Sequence, residues 1–322
     1  MTTYNFTVKV TDAKGRTDTL ADSITVSQFN WVVSASSGQT IALSGNFAAD
    51  AWDYIENPFA LFLAKLYAND GRLYANYRST LSYSDDRGAT WTETYPAESG
   101  GASDSNMAFG GGYAFVFSVN KTDRYHIDSD TWSVATGDSG AWSGVYHNGK
   151  VIVVGAPSQQ VGVSVDDGAS FVLGGTFSPL EVAAHPLIET DGSRLCVLLE
   201  EDENPAMIYY SDNDGDDWTL AYTFPALGAT PGEAMSIKHY DGHWIASLLG
   251  GNTALSDDGV NWTPGPTLVA GFNQIAGARG RIAGAGENGH IMLSDTYGAT
   301  WWDDDATGLP VALVSVRGIT AL

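Results

Sequence analysis

Carboxylates are the groups in this chain most able to do chemistry. There are 38 Asp and Glu against 15 Lys and Arg, a formal net charge of −23. Two acids facing across a cleft are enough for glycoside hydrolysis, one as acid and one as base or nucleophile. The acids are spread along the whole chain, so no spacing singles out such a pair. D212-N-D-G-D216 begins like a calcium loop, but calcium takes about six to eight oxygens, including a distal bidentate acid. No glutamate follows at that place, and E200-E-D-E-N204 reads as a solvated acidic loop; no cofactor is expected. His126, His147, His185, His239, His243 and His290 lack metal-ligand spacing. The single cysteine, Cys196, lies in the apolar run LCVLL and reads as packing. No Ser-His-Asp arrangement, phosphate loop or dinucleotide signature is present.

The acids recur instead in a repeated turn. S84-D-D-R-G-A-T-W91 and S164-V-D-D-G-A-S-F171 share Ser-x-Asp-x-Gly-x-Thr/Ser-aromatic. S211-D-N-D-G-D-D-W218 and S294-D-T-Y-G-A-T-W301 keep serine, glycine and aromatic but change the acid; S256-D-D-G-V-N-W262 is one residue shorter, and D128-S-D-T-W132 is a stump. Trp91, Trp132, Phe171, Trp218, Trp262 and Trp301 are 41, 39, 47, 44 and 39 residues apart. A period near forty with turn signals means a stacked or circular array of small sheets. Ser and Asp side chains hydrogen-bond a sharp turn, glycine supplies a positive φ, and the aromatic buries an apolar face between sheets.

These repeats resemble Asp boxes, the hairpins of sialidase-like (BNR-repeat) β-propellers. The resemblance implies structural roles for Ser84, Asp86, Gly88, Trp91, Ser164, Asp166, Gly168, Phe171, Ser211, Gly215, Trp218, Ser256, Asp258, Gly259, Trp262, Ser294, Gly298 and Trp301. It puts the boxes between the two outer strands of each blade, opposite any active site. Sialidases also use clustered arginines and an Arg-Ile-Pro-like sequence; that tripeptide is missing here, and Arg124, Arg194, Arg279, Arg281 and Arg317 follow a turn pattern.

Second strands are expected to start near Trp31, Arg72, Tyr113, Val151, Arg194, Trp244 and Arg281, giving seven blades. Thr40–Ser44 is expected as a third strand, and residues 45–58 should hold an outer strand. Residues 57–67 could be a helical turn, although alternation favours a strand. The Trp31 blade lacks a first strand, and ALVSVRG, Ala312–Gly318, resembles NQIAGARG and would close the ring. Residues 4–27 alternate around D12-A-K-G15 as a hairpin resembling the last two strands of an immunoglobulin-like module: a remnant of a longer protein, an attachment arm completed by a partner, or an extra hairpin lying on its own propeller. The expected organisation is all-β: a hairpin over residues 1–28 and a seven-bladed propeller over 29–322.

On the face opposite the boxes fall Asp50, Asp53, Glu56, Glu98, Asp104, Asp138, Glu181, Glu233, Glu287 and Asp303–Asp305, with Arg78 and Lys121 as bases. Such a field repels anions and excludes a nucleic-acid groove or anionic membrane surface. Trp52, Tyr54, Trp142 and Trp302 on that face could stack on sugar rings or pack blades. No run has membrane-spanning length, and none resembles a signal peptide. These features point first to a non-enzymatic structural or binding protein of a viral particle, resembling bacteriophage tail, fibre or capsid-surface proteins. Its partners would be virion or assembly proteins held through the hairpin, and a cell-surface glycan; its location would be the virion. The alternative is a bacterial glycoside hydrolase or carbohydrate-binding propeller, extracellular or periplasmic.

Overall fold

The computed structural model describes the main chain of the strands named below. With side chains it describes residues 65–76, 81–86, 88–94, 106–118, 121–136, 141–155, 161–173, 186–200, 205–225, 234–268, 274–277, 280–284 and 291–302. β1 (Thr2–Thr11) and β2 (Thr17–Val26) form a separate two-stranded sheet. β3 (Trp31–Ala35), β4 (Thr40–Ser44) and β5 (Trp52–Glu56) belong to the first four-stranded sheet. The second sheet is β6 (Lys65–Asn69), β7 (Arg72–Tyr77), β8 (Thr80–Ser84) and β9 (Thr92–Thr94). The third is β10 (Asn106–Gly110), β11 (Tyr113–Ser118), β12 (Lys121–His126) and β13 (Thr131–Val134). The fourth is β14 (Ser143–His147), β15 (Lys150–Val154), β16 (Gln160–Ser164) and β17 (Val172–Thr176). The fifth is β18 (Leu187–Thr190), β19 (Leu195–Leu199), β20 (Met207–Ser211) and β21 (Thr219–Thr223). The sixth is β22 (Ala234–Tyr240), β23 (His243–Leu248), β24 (Thr253–Ser256) and β25 (Thr263–Pro264). The seventh is β26 (Phe272–Ala278), β27 (Arg281–Gly286), β28 (Ile291–Ser294) and β29 (Trp302–Asp303). β30 (Val316–Ala321) pairs with β3 and completes the first sheet.

All pairings within the sheets are antiparallel. The first strands neighbour one another in the order β6, β10, β14, β18, β22, β26 and β30, and β30 neighbours β6. The chain is therefore an all-β β-propeller. Several first-to-second strand connections are two-residue turns with positive φ at both positions: Asp70-Gly71, Gly111-Gly112, Asn148-Gly149 and Asp241-Gly242. That turn geometry matches the twist of the strands it joins.

Apolar runs in the second strands fill the space between sheets. Val151 and Val153 pack against Phe115 and Phe117 of the sheet before. Ile152 and Val154 alternate to the other side, against Leu195 and Val197 of the sheet after. Leu198 and Cys196 continue the pattern toward Trp244 and Ala246. A strand buried on both faces needs a continuous rather than alternating apolar run, and each such Val or Leu contributes about 1.5–3 kcal/mol on burial.

One boundary differs from the sequence expectation. The closing strand is described over Val316–Ala321 and so runs three residues past the expected end at Gly318; residues 312–315 lie outside the described residues. Its register is fixed by Trp31↔Ala321 and Val33↔Ile319, with an irregularity that leaves Arg317 between the pairings of Gly318 and Val316. The other second strands begin within one residue of the expected positions. Residues 57–64 lie outside the described residues, and the strand beyond them starts at Lys65.

Candidate functional site

The repeated turns join the third and fourth strands of their sheets, as the resemblance implies. In the turn after β8, Ser84 Oγ donates to Asp86 Oδ1 at 2.8 Å and accepts the Gly88 N–H at 2.7 Å. Asp86 also accepts from the Thr90 N–H and hydroxyl, at 2.8 and 2.6 Å. The Trp91 indole N–H closes the loop on the Gly88 carbonyl at 3.0 Å. Ser164, Asp166, Gly168 and Ser170 repeat this pattern. Ser256, Asp258 and Gly259 keep it in the shorter turn, with Trp262 on the Gly259 carbonyl. Asn213 and Thr296 take the acid's place beside Ser211 and Ser294, while Gly215 and Gly298 hold positive φ and receive Trp218 and Trp301. The serine hydroxyls are buried and fully used, and these groups hold the turn rather than offer reactive atoms. Three acids are correspondingly acidic. Hydrogen bonds from Ser170 and Ser164 hold Asp166 down at about 2. Asp258 is lowered chiefly by the Asn261 N–H and side chain, and Asp86 by the Thr90 hydroxyl.

The turns after β16, β20, β24 and β28 are also docked on the sheet before them. Asp214 binds Lys150 at 2.6 Å and His147 Nε2 at 3.1 Å, and His147 Nδ1 meets the Thr190 hydroxyl at 2.7 Å. Arg124 donates to the Asp167 carbonyl, and Arg194 to that of Asp258. Tyr297 stacks on His243, their ring centroids 3.9 Å apart. Phe171, Trp218, Trp262 and Trp301 join the apolar clusters between their own sheet and the one before. Within sheets, Arg72–Asp85, Arg194–Asp212, Arg281–Asp295 and His243–Asp257 form one repeated ion pair at 2.5–2.7 Å. The described arginines are thereby committed to the turn side, which sequence reading anticipated. The stump at residues 128–132 is a different turn: Tyr125 donates to Asp130, and Trp132 reaches Thr94 of the sheet before.

The aromatics proposed to bind ligand are not brought together. Trp52 and Tyr54 stand on β5 and Trp302 on β29, each an outermost strand, so they belong to the rim rather than to the loop-rich face. Trp302 is 40% exposed under the guanidinium of Arg281. Trp142 precedes β14, and its carbonyl accepts from Asn106. Asp53, Glu56 and Asp303 likewise lie on outermost strands. Glu200 is buried and accepts the Ala234 N–H, so it is part of a sheet junction and not of a solvated loop. Lys121 pairs with Asp123 at 3.1 Å, and burial raises the Asp123 carboxyl. Burial also raises the Cys196 thiol, in keeping with its reading as packing. Asp50, Arg78, Glu98, Asp104, Asp138, Glu181, residues 201–204, Glu233, Glu287, Asp304 and Asp305 lie outside the described residues.

What sequence reading missed is the axis. The first strands of six sheets line a cavity of about 280 Å³. Leu66, Met107, Ile188, Ile237 and Ile275 are buried in these strands, and Met107, Ile188 and Ile237 also contribute to the cavity wall. The polar groups of the lining include Lys65, Asn106, Ser143, Ser236 and Gln274 near the strand starts, with Tyr67, Glu189 and Lys238 further along. Lys65 donates to Asn106 Oδ1 at 2.9 Å, and Gln274 to the Leu66 carbonyl at 2.8 Å. Lys238 and Glu189 form an ion pair at 2.6 Å, with side chains 34% and 17% exposed. Tyr240 donates to the Ile275 carbonyl at 3.1 Å, and burial raises its hydroxyl, so it is no ready nucleophile. Among the described residues the lining contains no arginine, and no cluster of three metal-ligating side chains is found. No described helix is long and apolar enough to cross a membrane.

No protein-family model matches the chain, and no curated protein matches it. Solved structures do. The chain is similar to YCF48 bound to a D1 peptide, with a TM-score of 0.57 at 17% identity over 77% of this chain and 83% of that one. It is similar to the computationally designed Ika8 protein, at 0.60 and 11% over 90% and 86%. YjhT gives 0.54 and 13% over 74% and 96%. At these identities the likeness concerns the β-propeller fold alone.

Proposed function

We propose that the chain is a non-enzymatic binding and structural protein of a viral particle, a bacteriophage tail, fibre or capsid-surface component. In this reading each of the seven sheets is one blade of an Asp-box propeller, six built from consecutive strands and one completed by β30. The propeller binds through its axial side, and the N-terminal hairpin attaches it to virion or assembly proteins. The observation that carries the reading is the hairpin itself: among the described strands, β1 and β2 pair only with each other. A two-stranded sheet is marginal by itself in water. Its register sets Tyr4 opposite Ile24 and Val8 opposite Leu20, apolar pairs suited to coverage by another chain.

The cavity supports binding over hydrolysis. A glycosidase needs two acids across its cleft, and Glu189 is the one carboxylate of the described lining, already held by Lys238. YCF48 with its D1 peptide offers an example of a similar fold holding a polypeptide, by analogy of fold. The test is deletion of residues 1–27 in the phage genome that encodes the chain. The truncated protein is expected to be soluble, to melt like the full chain, and to be missing from purified particles. Unfolding of the propeller, or a full-length chain already missing from particles, overturns the proposal.

A further inference from the structure

The polar groups around the axis show what they have left to offer. The Lys238 ammonium has three donors, and one is taken by Glu189. The Glu189 carboxylate has about four lone-pair sites; Oε2 accepts from Lys238 and Oε1 from the Thr190 N–H at 3.2 Å. Ser143 Oγ accepts the Ile188 N–H at 3.3 Å, which leaves its proton to donate. Among the described residues the Ser236 hydroxyl has no hydrogen-bond partner, and it lies two residues before Lys238 on the same face. These four residues come from β14, β18 and β22, one contiguous sector of the ring.

The remaining capacity is a mixture of donors and acceptors at close quarters. A free anion accepts only: Lys65 and Lys238 would attract it, but it would leave the open lone pairs of Glu189 unmatched. A free cation donates only and would meet the Lys238 ammonium. A hydroxyl does both. The net charge of −23 further opposes entry of an anion. The cavity of about 280 Å³ has room for a sugar ring. Tyr67 and Leu187 add apolar surface to the same wall.

We propose that the axial cavity binds a neutral, hydroxyl-rich ligand, a single uncharged sugar unit, with Lys238, Glu189, Ser143 and Ser236 as its polar contacts. This rests on reading the chain as a binding propeller. Two neighbouring hydroxyls of the ring would take the Lys238 donor and the Glu189 acceptor, and the serines would fix a third.

The experiment is calorimetric titration of the full chain with methyl glucoside, methyl galactoside, methyl mannoside and N-acetylglucosamine, beside glucuronate and choline as charged controls. At least one neutral sugar is expected to bind more tightly than either control. Ser236→Ala, which leaves the ion pair intact, should weaken that binding about three- to tenfold. The double variant Glu189→Gln/Lys238→Met should abolish it, with melting of each variant followed to show that it folds. Failure of all four neutral sugars to bind overturns the proposal. So does tighter binding of glucuronate or choline, or binding unchanged in folded Ser236→Ala and double variants. Particle incorporation of the same variants separates the two readings: incorporated protein that binds no sugar refutes this inference alone.

Discussion

Replacing Gly168 by alanine tests how each repeated turn is locked onto the sheet before it. Gly168 has φ +73°, and a Cβ there would lie 2.7 Å from Phe115 Cε1 and 3.1 Å from its Cδ1. Phe115 is fully buried and stacked on Tyr146 at 6.3 Å between centroids, so it has nowhere to retreat. The left-handed conformation costs alanine about 1 kcal/mol or somewhat more, and overpacking a filled core adds about 1–3 kcal/mol. Gly149 supplies the internal control. Its φ is +77°, in the same region, but a Cβ there meets nothing within 4 Å. Gly149→Ala should therefore cost only the conformational part, and the difference between the two variants measures the docking contact. Equilibrium urea unfolding of both against the parent gives that difference directly. An expected gap of about 1–3 kcal/mol, with Gly168→Ala the less stable, follows from the geometry. Equal destabilisation would refute the idea that the turn is wedged against the preceding sheet.

Two more perturbations have clear signs. Asp166, Asp258 and Asp86 are more acidic folded than unfolded, where an Asp titrates near about 3.9. Their contribution is thus complete above about pH 4 and lost as pH falls toward about 2, the folded value of Asp166. Unfolding free energy should drop over that window, and less steeply in Asp166→Asn/Asp258→Asn, since Asn213 shows that an amide can hold the same turn; identical pH profiles would contradict this. Deleting residues 316–322 removes β30 and leaves an unpaired edge on β3. Light scattering should then show aggregation, and a monomeric product with unchanged melting would mean that ring closure does not depend on β30.

The turns were legible because each is a local device. Serine, acid, glycine and aromatic sit within eight residues, and their hydrogen bonds close inside the segment. The second strands were legible because burial on both faces demands unbroken apolar runs such as VIVV and LCVLL. The closing strand runs three residues past its expected end because nothing local fixes its register; its partner, β3, is remote in sequence. The axial residues were missed for a related reason. Lys65, Ser236, Lys238 and Gln274 come from different strands and converge only when the ring forms. A signal existed in the first strands, where polar residues flank single buried aliphatics, as in K65-L-Y, S236-I-K and Q274-I-A. Stacking those segments by their following turns would have exposed it. The rim aromatics misled because outer-strand and loop tryptophans look alike in sequence.

The pairing of β3 with β30 also governs how this protein can be made. A ribosome releases β3 to β5 early, yet their sheet lacks its axial strand until Val316 to Ala321 emerge. At about 5–20 residues per second, the intervening chain takes roughly fifteen seconds to a minute to synthesise. Throughout that interval β3 offers an open hydrogen-bonding edge, and the turn after β28 arrives only near its end. Sheets two to six can assemble in order behind it, each secured once its successor's turn is translated. The first sheet must wait for β30, so the ring stays incomplete until Val316–Ala321 have been made. A chain stalled before Val316 is therefore the species most in need of a chaperone.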